Sequence, residues 1–148
     1  MRIKTLSLWE PWATLVLLGH KRWETRSWPA PAWLVNRRIA VHAADRFDRE
    51  AWECRIERVL QNHSIAPREV AARAGRNRGC VLCTARLAAC WKMTPALIAE
   101  QTGLELALGG WEAGRWAWEL ADVRPLDPPV VCAGNRGLWW WDAPEGIS

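Results

Sequence analysis

Ser7-Leu8-Trp9-Glu10-Pro11-Trp12, followed by Gly19-His20-Lys21-Arg22-Trp23-Glu24-Thr25-Arg26, encodes a strand, a short helix and a second strand in quick succession. Ile3 to Trp9 reads as the first strand. Pro11 suits the first position of a helix, where its missing N–H costs nothing. Trp12, Leu15 and Val16 mark that helix's apolar face, and Gly19 is a natural C-terminal cap. Arg22 to Trp28 alternates and reads as a second strand, stopped by Pro29 and Pro31. Lys21, Glu24 and Arg26 all fall within seven residues of Gly19, and four tryptophans (Trp9, Trp12, Trp23, Trp28) surround them. A cation, a carboxylate and a guanidinium beside large flat apolar side chains describe a pocket for a polar, aromatic-faced ligand. A nucleobase or nucleotide meets that description best.

Outward from this segment the pattern continues as short strands and helices. Arg38 to Ala44 is a third strand, with Ile39 and Val41 facing inward. Asp48 caps a helix running to about His63, with Trp52, Ile56, Val59 and Leu60 at helical spacing. Pro67 opens a short helix ending near Gly75, followed by a basic turn, Arg76-Asn77-Arg78-Gly79. The next strand, to Trp91, carries Val81, Cys83, Ala85, Leu87, Ala89 and Trp91 on one face. Thr94-Pro95 caps a helix ending near Gly103. Arg115 to Val123 alternates as a strand that Pro125, Pro128 and Pro129 should break, and Gly137 to Asp142 is the last strand. This order predicts an α+β fold, a small, mostly antiparallel β-barrel decorated by helices. With no repeat or linker, residues 1–148 are expected to form one domain.

Composition narrows the function classes. Half of the 148 residues are hydrophobic, which fits a folded chain with a sizeable core. The longest apolar run, near Ala13 to Leu18, is far below the roughly 18 residues of a membrane helix. The Met-Arg-Ile-Lys start reads as strand and not as an export signal, so a cytoplasmic protein without membrane partners is expected. The net charge of +4 is a weak pointer to a polyanion. Five cysteines, an odd number, argue against a disulfide scaffold. Cys80-x-x-Cys83 has zinc-like spacing, but on a strand residues i and i+3 face opposite ways, so no metal is expected. Thirteen tryptophans with one phenylalanine and no tyrosine must be mostly core.

Glu24 and Arg26, two apart on a strand, share a face, and Lys21 in the preceding turn can swing toward them. In water such charges would be an ion-pair ladder worth about 0–1 kcal/mol. Walled by tryptophans they lose solvation, and a desolvated lysine can titrate low or hold a phosphate. Ser7, Trp9 and Trp12 flank the helix start, Trp9 as a stacking wall and Trp12 more as core. His42 leaves the face set by Ile39 and Val41, either as a hydrogen-bonded structural histidine or as a cleft residue. Asn135, before Gly137, can bond a base edge. Arg73, Arg76 and Arg78, in one loop, can extend a nucleic-acid track.

These residues carry a family resemblance. Ser7-Leu8-Trp9-x-Pro11-Trp12, then Gly19-x-Lys21-x-x-Glu24-x-Arg26-Ser27-Trp28-Pro29, resembles the ASCH domain family of the PUA-like superfamily. Ile39-Ala40-Val41-His42-Ala43-Ala44, Trp116-x-Trp118-x-Leu120 and Gly134-Asn135-Arg136-Gly137-Leu138-Trp139 extend the match over roughly residues 3 to 142. The segment at about 47–78 looks like a helical elaboration outside the shared core. The resemblance implies a barrel with a cleft lined by the motif's lysine, glutamate and arginine, and RNA or other nucleic acid as partner. Some members are enzymes, one group hydrolysing N4-acetylcytidine and another reported as ribonucleases. In the amidohydrolase group a lysine matching Lys21 acts with a threonine at the position of Glu24 and a further glutamate. Glu24 replaces that threonine, so the mechanism does not transfer intact.

The expectation is therefore a cofactor-free binder of RNA, single-stranded nucleic acid or a nucleotide-like small molecule, through Ser7, Trp9, Trp12, Lys21, Glu24, Arg26, His42 and Asn135. The alternative is a hydrolase of RNA or a modified nucleoside with Lys21 and Glu24 as acid–base pair. A third is a protein-interaction adaptor using Trp111, Trp139 and Trp141. Oligomeric state is not legible.

Overall fold

Strands β4 (Cys80–Lys92) and β5 (Trp116–Val131) form the longest ladder in the molecule, and the rest of the sheet grows from it. The computed structural model describes residues 1–147. β1 (Arg2–Glu10), β2 (Trp23–Arg26), β3 (Arg38–Phe47) and β6 (Leu138–Asp142) complete a six-stranded sheet in the order β2-β5-β4-β3-β1-β6. All pairings are antiparallel except β1 with β3, which run parallel.

The expected barrel is thus corrected to an open six-stranded sheet, mixed through the β1–β3 pair but mostly antiparallel as expected. The reason lies in the connection. The chain leaves β1 through α1 (Trp12–Leu17), β2 and a 3-10 turn (Ala32–Leu34) before re-entering the sheet as β3. A crossover of that length permits parallel pairing, which a hairpin cannot give. β2 meanwhile pairs with β5, so β2 and β6 remain as edges. Register shifts in β1, in the β3–β4 pair and along β4 curl the sheet. The curl brings β2 close enough to β1 for Arg26 Nη2 to donate to Ser7 O at 2.9 Å.

Two further boundaries differ from expectation. Pro125, Pro128 and Pro129 do not end β5, which continues to Val131. Pro125 faces Cys83 between two register shifts, where the ladder is already interrupted and a missing N–H is tolerated. The helix α4 (Pro67–Asn77) runs on through Arg76. Val70, Ala74 and Asn77 form its buried stripe, and Asn77 Nδ2 donates to Thr14 Oγ1 at 3.1 Å. Arg73 and Arg76 are therefore exposed helical residues and not loop residues.

Asp48 caps as expected, its side chain accepting from Ala51 N at 3.0 Å. The helix it starts is divided into α2 (Arg49–Ala51), a π-helical stretch (Trp52–Ile56) and α3 (Glu57–Asn62). After α5 (Pro95–Ala99) comes a helix the sequence reading lacked, α6 (Gly103–Ala107), capped by Thr102.

The main core gathers on one face of the sheet, with Leu6, Val41, Leu82 and Trp118 fully buried. A second core forms where Leu15 of α1 meets Trp52, Ile56, Leu60, Val70 and Leu108. Trp12 packs against both, which fixes α1 between sheet and helices. Each such apolar side chain contributes about 1.5–3 kcal/mol by burial. No helix among the described residues is long and apolar enough to cross a membrane.

Glu10, at the end of β1, is fully buried, and accepts from Thr14 N at 2.7 Å and from the Thr14 hydroxyl. Burial raises its pKa from 4.5 to about 7, against the Thr14 bonds and the charge of Arg78. A folded-state pKa above the unfolded one adds stability at low pH that is lost as pH rises through the folded value. Urea titrations should show the wild type losing about 3 kcal/mol relative to Glu10→Gln as pH rises from 4.5 to above 7.

Candidate nucleic-acid interface

A cleft of about 920 Å³ opens at the C-terminal end of β1. Ser7 and Trp9 come from β1, Trp12 from α1, Glu24 and Arg26 from β2, and His42 and Arg46 from β3. The segment 132–137, between β5 and β6, closes one side and includes Asn135. Glu24 and Arg26 share this face, as strand parity requires. Thr25 points away, its Oγ1 accepting from Gly110 N at 2.9 Å.

Arg26 is held by its 2.9 Å bond to Ser7 O, and its guanidinium lies 5.5 Å from the Trp28 ring centre. Its Nε is 3.8 Å from Glu24 Oε1, too long for a hydrogen bond, and is buried without a partner. Glu24 Oε1 accepts from Thr25 N at 3.1 Å, whereas Glu24 Oε2 is buried with no hydrogen-bond partner. Behind the cleft wall, one acceptor and one donor therefore have unmade bonds. An unmade bond at a buried polar atom costs about 1–3 kcal/mol.

Lys21 does not line the cleft. It is 3% exposed, its Nζ donates to Leu108 O at 2.9 Å, and the ammonium sits 5.9 Å from the Trp12 ring centre. Burial pushes its pKa below the usual lysine value, opposed by the charges of Glu24 and Glu105. Glu105, on α6, was absent from the sequence reading. Its Oε1 accepts from Arg22 N at 2.6 Å, while its Oε2 is also buried and unpartnered. Burial raises its pKa, against backbone bonds and the charge of Lys21. The one signal for it was the Thr102-x-x-Glu105 pattern of a capped helix start.

Ser7 is a hub. Its N–H donates to Gly137 O at 3.0 Å, and its Oγ donates to Asn135 O at 2.6 Å while accepting from Trp139 Nε1 at 2.9 Å. His42 Nδ1 lies 3.3 Å from the same Oγ. His42 Nε2, 2.8 Å from Cys132 O, must carry the proton, because a carbonyl can only accept. Burial lowers the His42 pKa, so the ring is neutral near pH 7. The Ser7 proton is committed to Asn135 O, which leaves no hydrogen between Oγ and the unprotonated Nδ1, so the serine–histidine pair is a packing contact and not an activated nucleophile. His42 is bonded through Nε2 to Cys132 O and lines the cleft.

Trp9 is 44% exposed at the cleft, with the Arg46 guanidinium 4.0 Å from its ring centre. Trp12 is half-buried, serving core and cleft together. Of the arginines assigned to a track, Arg73 and Arg76 lie on α4, and Arg78 pairs with Asp45 at 3.7 Å. Asp45 lines the cleft, whereas none of the three arginines does. The tryptophans of the adaptor alternative form no exposed patch. Trp141 is 5% exposed, Trp139 bonds Ser7, and Trp111 Nε1 donates to Glu105 O at 2.9 Å. Cys80 and Cys83 are buried thiols in β4, Cys83 pushed up to about 12 by burial.

The ASCH domain family model matches residues 6–130, spanning the β1–α1–β2 motif and most of the sheet. The chain belongs to the ASCH domain family. The fold agrees: the crystal structure of ASCH from Zymomonas mobilis superposes with a TM-score of 0.57 at 19% identity, over 93% of this chain and 86% of that one. A serine-to-alanine mutant of the same Zymomonas mobilis protein gives a TM-score of 0.53 at 18% identity, over 93% and 87%. At these identities the ASCH likeness is one of fold. No curated protein matches the chain.

Within this ASCH cleft, Gly134 lies against the His42 ring. A Cβ there would sit 2.3 Å from His42 Cε1 and 2.5 Å from Nδ1, so any side chain must push the segment 132–137 away. Gly134→Ala should cost about 1–3 kcal/mol in urea unfolding. It should also shift the His42 NMR titration further below the ordinary histidine range as the Cys132 carbonyl moves off Nε2, because that bond favours the charged ring.

Proposed function

We propose that this ASCH domain binds single-stranded RNA or a modified nucleotide in the cleft between β1, β2 and the 132–137 segment. The observation that carries this reading is the Glu24–Arg26 pair, 3.8 Å apart, lining a cleft also lined by the indoles of Trp9 and Trp12. Glu24 offers an acceptor to a base amino or imino N–H. Arg26 and Arg46 offer donors to base carbonyls or phosphate, and Trp9 offers a face for stacking. Lys21 takes an indirect part. It holds the base of the cleft by balancing Glu24 and Glu105 from behind.

Hydrolysis of RNA or a modified nucleoside is favoured by one observation, a lysine of lowered pKa near two carboxylates. Against it stand the 3% exposure of Lys21, its bond to Leu108 O, and a glutamate where the amidohydrolase pattern has threonine. Binding without product is the expected result. Product from RNA or N4-acetylcytidine that vanishes in a folded Lys21→Ala variant would establish the enzyme instead.

Fluorescence titration at low salt should detect RNA through quenching of the cleft tryptophans. Trp9→Ala should weaken binding by about 1–3 kcal/mol. Arg26→Ala should flatten the dependence of log K on log salt by about 0.7, the contribution of one phosphate contact in a single strand. Glu24→Gln should change the preference among bases more than the overall affinity. If neither RNA nor single-stranded DNA binds at low salt, or if Trp9→Ala and Arg26→Ala both match the wild type, the proposal is wrong.

A further inference from the structure

At the far end of β1 two tryptophans stand out of the core. Trp33, in the 3-10 turn, is 51% exposed, and Trp140, on β6, is 43% exposed. Neither is loosely placed. Leu34, next to Trp33, is 2% exposed in the main core, and Trp140 pairs with Lys4 in the β1–β6 ladder. The two rings stack with centres 5.9 Å apart and an interplanar angle of 18°. Trp33 has no ring or cation partner among the described residues apart from Trp140, so its second face is available.

The surroundings are cationic. Lys4 Nζ lies 4.6 Å and the Arg2 guanidinium 5.1 Å from the Trp140 ring centre. Arg37 Nε donates to Trp33 O at 3.0 Å, and its terminal amino groups have no partner among the described residues. Among the described residues the only acid paired with these three cations is Asp142, 3.4 Å from Arg2, and both partners are largely exposed, so the pair is weak. A depression of about 350 Å³ runs between these residues. It shares no lining residue with the cleft.

We propose that Trp33 and Trp140, with Lys4, Arg2 and Arg37, form a second site that stacks a base of single-stranded nucleic acid and holds its phosphates. A flat apolar face explains why two indoles are kept in water on rigid supports. The unmatched cations select a partner that is aromatic and anionic at once, which a neutral apolar surface is not. Stacking of this kind tolerates any base, because every base has a π-face. The site takes its ligand class from the cleft reading but none of its residues, so each can fail alone.

The test is fluorescence anisotropy with a labelled oligouridylate of about twelve nucleotides and with oligothymidylate of the same length. Trp33→Ala should weaken binding of both by about tenfold, and Trp33→Phe should restore most of the loss. Lys4→Ala with Arg37→Ala should flatten the salt dependence by about two phosphate contacts. Binding of uridine monophosphate, which fills one site, should persist in Trp33→Ala and fall in Trp9→Ala. Unchanged oligonucleotide affinity in both Trp33→Ala and Trp140→Ala overturns the second site. Loss in Trp33→Ala with no loss in Arg26→Ala keeps the second site and removes the cleft.

Discussion

Lys21 places an ammonium where almost no water reaches it, and the parts of the molecule around the cleft are arranged to make that tolerable. A charge taken out of water costs several kcal/mol unless opposite charge and hydrogen-bond acceptors replace the solvent. Here the acceptor is the Leu108 carbonyl and the opposite charges are Glu24 and Glu105. These come from just after α6, from β2 and from α6 itself. Satisfying one side chain therefore ties the first helix–strand unit to a short helix far along the chain. Glu105 adds a second tie by accepting from Arg22 N. Releasing any of these partners would leave a buried polar group unsatisfied at the base of the cleft.

Ser7 does for the cleft's other side what Lys21 does for its base. Through its amide, carbonyl and hydroxyl it reaches the 135–139 segment, Arg26 and His42. The open sheet makes this necessary. With β2 and β6 as unjoined edges, no ladder hydrogen bonds hold β2 against β1, and the Arg26 guanidinium spans the gap.

Much of the site was legible because its informative residues are close in sequence. Gly19, with φ +82°, ends α1 where a glycine was expected, and parity along β2 put Glu24 and Arg26 on one face. The fold class was legible from the alternation of strands and helices. What escaped depended on distant parts. Glu105 could not be joined to Lys21 without knowing that α6 folds back onto β2. The parallel β1–β3 pair hid behind a crossover that contains its own strand. Pro125, Pro128 and Pro129 looked like strand breakers because proline lacks a donor, yet β5 crosses register shifts at which that donor is dispensable. Lys21 was expected to face a ligand, and only its burial showed that it faces inward.

The pairing of β2 with β5 also sets when, during synthesis, the site comes into being. Trp23 meets Glu119 and Glu24 meets Trp118, partners from the other end of the chain. At ordinary rates of translation a separation of about ninety residues takes about 5 to 20 seconds to make. Until β5 and α6 emerge, the ammonium of Lys21 stays hydrated and Glu24 and Arg26 have no strand to align them. A nascent or truncated chain can contain the entire diagnostic motif and still lack the cleft. Formation of the cleft thus reports on completion of the sheet, even though many of the residues that line it are among the first to be made.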